Sequence, residues 1–174
     1  MALKPSAPPP ATLAAVDTNV ALDFADGIDE MIDSLSTVRR RVKQCAFCVP
    51  PTAVIELGHA ADIGETPEKR AAARKFLQHH RAWGFQLVHF VAAGQTQVFR
   101  IAGRLREQGL LPDQEVNDSL LLAECALLGC SILLSSDEHL RGIDFERLTL
   151  ELQAFDVSAP VIATPREIVR KFFR

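Results

Sequence analysis

The chain has no tyrosine, a single tryptophan and two methionines in 174 residues, and only 6% of it is aromatic. Proteins that grip unpaired bases commonly stack them on aromatic side chains. Here the phenylalanines fall mostly on apolar faces, so no base-reading surface is legible. An excess of charge of one sign is missing as well. Nineteen Lys and Arg stand against 22 Asp and Glu, a net charge of -3, which is too weak to act as a long-range field. That excludes a general polycation for coating nucleic acid, whose affinity rests on many phosphate contacts. Any hold on nucleic acid must come from a local patch.

Long hydrophobic runs are lacking too. The most apolar window, Leu120 to Leu134, carries Glu124 and falls short of the roughly 20 residues that a membrane-spanning helix requires, so no membrane association is expected. The first residues, Lys4-Pro5-Ser6-Ala7-Pro8-Pro9-Pro10, have no apolar core of the kind a secretory signal needs. Residues 1–11 are expected to be a flexible, proline-rich leader, and residues 12–174 a single domain in the cytoplasm. Four cysteines in such a chain are expected to be reduced thiols. Cys45 and Cys48 have the spacing of half a zinc site, but Cys125 and Cys130 lie in an apolar helical run and do not supply the other half. They read as small buried hydrophobes.

With 48% hydrophobic and 24% charged residues, the chain can bury a substantial core. Short apolar runs punctuate it. Thr12 to Val16 reads as a strand running into a loop at Asp17-Thr18-Asn19, after which the apolar signal resumes with helical spacing, and about Gly27 to Lys43 reads as an amphipathic helix. Cys45 to Val49 reads as a second strand, stopped by Pro50-Pro51, with Thr52 placed to cap the helix that follows. Thr66-Pro67-Glu68 opens another helix. Phe85 to Val91 is a third expected strand, Gln95 to Gln108 a helix, and Pro112-Asp113 the start of a helix reaching about Leu128. Ser131 to Leu134 and Val161 to Ala163 complete the strands, and Thr164 caps a last helix. Strands alternating with helices in this way predict an α/β fold, a three-layer α/β/α sandwich around a mainly parallel sheet.

In such sheets ligands gather outside the carboxyl ends of the strands. Asp17 follows the first strand, Glu56 the second, Asp137 the fourth, and Asp118 stands early in the helix expected from Pro112. Each acid alone is often a helix cap. Together, without a cationic partner nearby in the sequence, they raise one another's proton affinity or demand a counter-ion. Glu56 between Ile55 and Leu57, and Asp118 beside Leu120 to Leu122, are costly to bury unless ligated. Hard carboxylate oxygens suit Mg²⁺ or Mn²⁺, and such ions support hydrolysis of phosphate esters. Asn19 and Ser135 or Ser136 offer neutral oxygens to the same shell.

Val16-Asp17-Thr18-Asn19-Val20, Pro51-Thr52-Ala53-Val54-Ile55-Glu56-Leu57, Asn117-Asp118-Ser119-Leu120-Leu121-Leu122-Ala123-Glu124 and Leu134-Ser135-Ser136-Asp137 resemble, in order and spacing, the four acidic motifs of the PIN-domain family. The resemblance spans about Leu13 to Arg174. It implies a PIN fold, Mg²⁺ or Mn²⁺ as cofactor, and cleavage of single-stranded RNA, often as the toxin of a bacterial toxin-antitoxin pair. It implies Asp17, Glu56, Asp118 and Asp137 as the catalytic, metal-binding acids, supported by Asn19 and Ser135. It also implies a homodimer and an antitoxin partner that covers the acidic edge. Two departures stand out: the segment from about Gly64 to Gln108 is long for the family's compact toxins, and Glu138-His139-Leu140 follows the fourth motif where an aromatic is frequent.

An acidic site repels RNA, so basic residues must hold the backbone beside it. The candidates are Arg39, Arg40, Arg41 and Lys43, together with the face of Lys69, Arg70, Arg74 and Lys75; Arg100, Arg104 and Arg106 are a third option. His79, His80 and His139 are candidate proton donors, the first two also placed to complement a helix dipole. Two other readings compete: a catalytically silent PIN-like module that binds RNA or acts as a scaffold, and a phosphatase of the haloacid-dehalogenase type. The latter chemistry wants a second Asp two residues after the first, where this chain has Asn19.

Overall fold

A computed structural model of the protein describes residues 12–172, with side chains through residue 170; the expected leader lies outside that range. The first strand, β1 (Thr12–Val16), ends at Asp17 and passes directly into a helix, α1 (Thr18–Asp26), where a loop was expected. Asp17 makes the transition possible: its backbone is extended and its side chain accepts from Thr18 N, capping the helix. At the other end Gly27 takes a left-handed conformation (φ 80) and returns its N–H to Asp23 and Phe24. In that conformation a Cβ would be strained.

The helix α2 (Asp29–Arg41) and strand β2 (Cys45–Val49) follow the expected pattern. In α3 (Pro51–Ile63) the N-cap is Pro50, not Thr52, and it contributes no side-chain hydrogen bond. Thr66 caps α4 (Pro67–His79) by accepting from Lys69 N at 3.1 Å. Strand β3 (Phe85–Leu87) is shorter than expected because its only neighbour, β2, stops at Val49, which is in register with Leu87. Next come α5 (Ala92–Glu107) and α6 (Val116–Leu127). The latter starts four residues later than Pro112 suggests, since Glu115 N bonds Pro112 O in a turn that precedes it.

The chain closes with β4 (Ile132–Leu134), α7 (Glu138–Arg141), α8 (Phe145–Gln153), β5 (Val161–Ala163) and α9 (Pro165–Phe172). Neither α7 nor α8 was expected, α7 being a single turn. The start of α9 is a capping box as expected: Thr164 Oγ1 accepts from Glu167 N at 3.1 Å and Glu167 Oε2 from Thr164 N at 2.8 Å.

The five strands form one sheet in the order β3-β2-β1-β4-β5, every pair parallel. Helices cover it on both sides, giving the three-layer α/β/α architecture. Strands buried on both faces carry continuous apolar runs, and Ala14, Ala15, Val16, Phe47, Cys48, Val49, Leu133 and Leu134 are all buried. Phe24, Phe47, Phe76, Trp83 and Phe85 interlock with ring centroids 5.1 to 6.1 Å apart, which engages four of the ten Phe and the single Trp of the chain in packing against one another. All four cysteines are free, and the Sγ atoms of Cys48 and Cys130 lie 3.7 Å apart in the interior. No helix among the described residues is long and apolar enough to cross a membrane.

Candidate metal centre

The chain builds the sheet outward from β1 to β3, then returns to the other side of β1 to add β4 and β5. The direction of build-out therefore reverses between β1 and β4, the point at which α/β sheets open a crevice at their carboxyl edge. Val16 is in register with Leu134, and Asp17 N bonds Leu134 O at 3.0 Å. Asp17 and Ser135 thus emerge side by side, and Ser135 Oγ donates to Asp17 Oδ2 at 2.6 Å. The same carboxylate accepts from Thr18 N at 2.6 Å and Asn19 Nδ2 at 3.2 Å. Asn19 in turn accepts from Ser136 N at 3.3 Å, tying the two strand ends together.

Glu56 reaches this edge from α3. Thr18 Oγ1 donates to its Oε2 at 2.5 Å, and Asn117 Nδ2 to its Oε1 at 2.7 Å. Its apolar neighbours in sequence do not bury it: Ile55 is itself exposed and Glu56 is half-buried. Asp137 caps α7, its Oδ1 accepting from His139 N at 2.8 Å and Leu140 N at 3.2 Å, while its own N–H bonds Ser135 Oγ at 3.0 Å. Ser135 is fully buried and joins two of the acids through one hydroxyl.

Asp118 differs from the other three. It lies in the first turn of α6, closer to the helix start than expected, yet its Oδ2 is the one buried side-chain polar atom among the described residues that has no hydrogen-bond partner. Buried polar atoms are nearly always paired, and an orphan oxygen amid other acids calls for a cation. None of the ion pairs among the described residues joins a Lys or Arg to any of these four acids.

The electrostatics agree. Burial pushes Asp17 up to about 6, against the opposing hydrogen bonds from Ser135 and Thr18, with Glu56 and Asp137 adding repulsion. Burial, then Asp137, Asp17, Glu115 and Glu56 in turn, pushes Asp118 up to about 7. A divalent cation would relieve both, and the donors are the hard carboxylate, amide and hydroxyl oxygens that Mg²⁺ and Mn²⁺ prefer. The residues present fit such an ion, which Asp17, Glu56, Asp118 and Asp137 would hold.

Other residues join the site, of which Glu124, Glu115 and His59 were not singled out in the sequence, whereas His139 and Lys69 were, as a proton donor and a phosphate contact. Glu124 is buried and accepts from Thr52 N at 3.0 and 3.2 Å and from Thr52 Oγ1 at 2.8 Å. It thereby caps α3 from a distance, where Pro50 cannot, and fixes the helix that carries Glu56. Glu115 and His139 gather at Asp118, with one ligand atom of each within 4.8 Å of the others. His59 and Lys69 line an open cavity together with Thr18 and Glu56.

The expected RNA-binding residues are scattered. Arg39, Arg40, Arg41 and Lys43 immediately precede Cys45, the first residue of β2, and so sit at the amino end of the sheet. That is about 16 Å of strand away from the acids. Arg39 packs over the Phe47 ring, 5.1 Å from its centroid, and donates to Trp83 O at 2.9 Å. Lys75 Nζ donates to Ala25 O at 2.7 Å, closing the carboxyl end of α1. Arg74 is exposed on α4.

Order of strands, parallel pairing and a crevice of acids at the reversal point define a PIN-like α/β fold, in keeping with the resemblance of the four motifs. Solved structures share it. One chain in the crystal structure of VapBC2 from Rickettsia felis, bound to a DNA fragment from their promoter, superposes with a TM-score of 0.59 at 12% identity, covering 88% of this chain and 98% of that one. One in the structure of VapBC-1 from nontypeable Haemophilus influenzae gives 0.54 at 11% identity over the same shares. At these identities the likeness is one of fold. No protein-family model and no curated protein matches the chain by sequence.

Proposed function

We propose that the protein is a metal-dependent endoribonuclease that hydrolyses phosphodiester bonds of single-stranded RNA, as the toxin of a toxin-antitoxin pair. The observation that carries this is the buried, unpartnered Asp118 Oδ2 within a group of four acids that no Lys or Arg among the described residues pairs with. A Mg²⁺ or Mn²⁺ ion held there would supply the chemistry that hydrolysis of a phosphodiester needs, a lowered pKa for an attacking water and charge neutralisation at the departing oxygen.

The chain's own residues do the rest. Ser135 and Asn19 hold the Asp17 carboxylate in one orientation, and Thr18 with Asn117 does the same for Glu56. Such outer partners keep ligands preorganised. Lys69, in the cavity beside Glu56, holds a flanking phosphate, with Arg74 further along the same helix. The low aromatic content of the chain, 6%, fits a grip on the backbone rather than on bases. The fold neighbours are VapBC assemblies, and this supports an antitoxin as partner, offering a cation such as Arg to the acids. Self-association as a homodimer belongs to the same proposal.

The test is cleavage of a mixed-sequence single-stranded RNA, beside the matching DNA, in EDTA, Mg²⁺ or Mn²⁺. The reading predicts RNA cutting that needs the metal and disappears in Asp17→Asn. Equal cutting by a folded Asp17→Asn protein would end it.

A further inference from the structure

The acids that bind the proposed ion do not account for every ligand-type side chain at this edge. His139, on the first turn of α7, directs Nδ1 toward Glu115 Oε1 at 3.5 Å and Asp137 Oδ1 at 3.9 Å. Glu115 is the residue just before α6 and lies three positions before Asp118. One ligand atom each from Glu115, Asp118 and His139 falls within 4.8 Å of the other two. The Asp118 carboxylate in this trio is the one with the buried oxygen that nothing in the described protein satisfies.

We infer that Glu115, Asp118 and His139 form a cation position of their own, sharing Asp118 with the site at Asp17 and Glu56, and that the imidazole makes it select Mn²⁺ over Mg²⁺. The inference rests on the metal-dependent reading above and adds the identity of the ion to it. Mg²⁺ is a hard cation that takes oxygen and keeps its waters. An imidazole nitrogen suits a first-row transition ion and gives Mg²⁺ no comparable gain. A carboxylate-only cluster would accept either ion with little preference, whereas two carboxylates and one imidazole tilt the choice. Asp137 shapes the position without joining the trio: its Oδ1 is engaged by His139 N and Leu140 N, which fixes the turn from which the imidazole projects.

In the absence of metal the same trio is a His–Glu contact at the surface, His139 being exposed. The two descriptions differ in what Mn²⁺ does. The experiment takes the full chain, stripped with EDTA, and titrates Mn²⁺ and Mg²⁺ separately by calorimetry. It then records the electron spin-echo envelope of the Mn²⁺-loaded protein for coupling to nitrogen. Wild type, His139→Gln, His59→Gln and Asp17→Asn are compared, His59 being the other imidazole near the acids.

The expected result is a nitrogen coupling in wild type and His59→Gln that is absent from His139→Gln, together with a Mn²⁺ affinity weakened roughly tenfold or more by His139→Gln and a Mg²⁺ affinity that stays within about twofold. Mn²⁺ that binds wild type without nitrogen coupling, or with a coupling that survives in His139→Gln, overturns the inference. If Asp17→Asn still loses affinity in that case, the metal-dependent reading stands without it. Wild type that binds neither ion overturns both.

Discussion

Replacing Asp118 by Asn should make the metal-free protein more stable, not less. In the folded chain this carboxyl is raised from 3.8 to about 7, by burial first and then by repulsion from Asp137, Asp17, Glu115 and Glu56. A displacement of about three pH units corresponds to about 4 kcal/mol if fully expressed. Asp118 is only half-buried, and screening by water reduces this to about 1–2 kcal/mol. Asn keeps the shape and carries no charge, and its Nδ2 can donate to the surrounding carboxylates.

The pH dependence has a definite sign. A group raised in the folded state contributes stability below its unfolded value and loses it as pH climbs through the folded one. Below about pH 4 the variant and wild type should therefore unfold alike. Their melting points should separate between pH 4 and 7 and stay apart by roughly 3–6 °C above that, for a chain of this size. The assay is thermal unfolding in EDTA across pH 4 to 8.5, repeated with Mn²⁺, where wild type should recover stability by binding the ion and the variant should gain less. A variant that melts with or below wild type in EDTA at pH 8, or a gap that does not change with pH, would refute the electrostatic argument.

Three further outcomes are expected. Glu124→Ala leaves Thr52 N and Oγ1 unpaired at the start of α3 and should cost about 1–3 kcal/mol in urea unfolding, with Glu124→Gln recovering part of the loss. Arg39→Ala removes a ring contact and a bond to Trp83 O; it should lower stability by about 1–2 kcal/mol and leave the KM for RNA unchanged, whereas Lys69→Gln should raise KM. Ser135→Ala frees the Asp17 carboxylate from its shortest side-chain partner and should weaken Mg²⁺ affinity by roughly 10- to 100-fold in calorimetry.

The strands were legible because each is a short apolar run closed by a polar residue or proline; Asp17 and Asp137 were legible because they stand just after such runs, and Glu56 and Asp118 because they are carboxylates set among apolar neighbours. Two kinds of feature were not. The first is the short helix: α7 spans four residues, too few for a 3.6-residue period to emerge, and α1, whose helical spacing was legible, starts inside the stretch read as a loop because Asp17 caps it. The second is placement across the fold. The run Arg39-Arg40-Arg41 looks as though it could flank the acids, but a parallel sheet returns the chain to its amino end before β2 begins, and this carries the run away. Glu115 became visible only once the true start of α6 was known, and the place of His139 beside it only once the turn at α7 was. Thr52 was read as a cap, and it is in fact the group that receives one, from a glutamate 72 positions further along.

The most direct test of the central claim is end-group analysis of single-stranded RNA incubated with metal-stripped protein, before and after Mg²⁺ or Mn²⁺ is restored. If the acids at the β1–β4 reversal position a water for attack on phosphorus, cutting appears only with the metal, leaves no 2′,3′-cyclic phosphate, and is lost in Asp118→Asn although that variant is folded. Cutting in EDTA, or cyclic phosphate ends that mark attack by the RNA's own 2′-hydroxyl, would contradict the account.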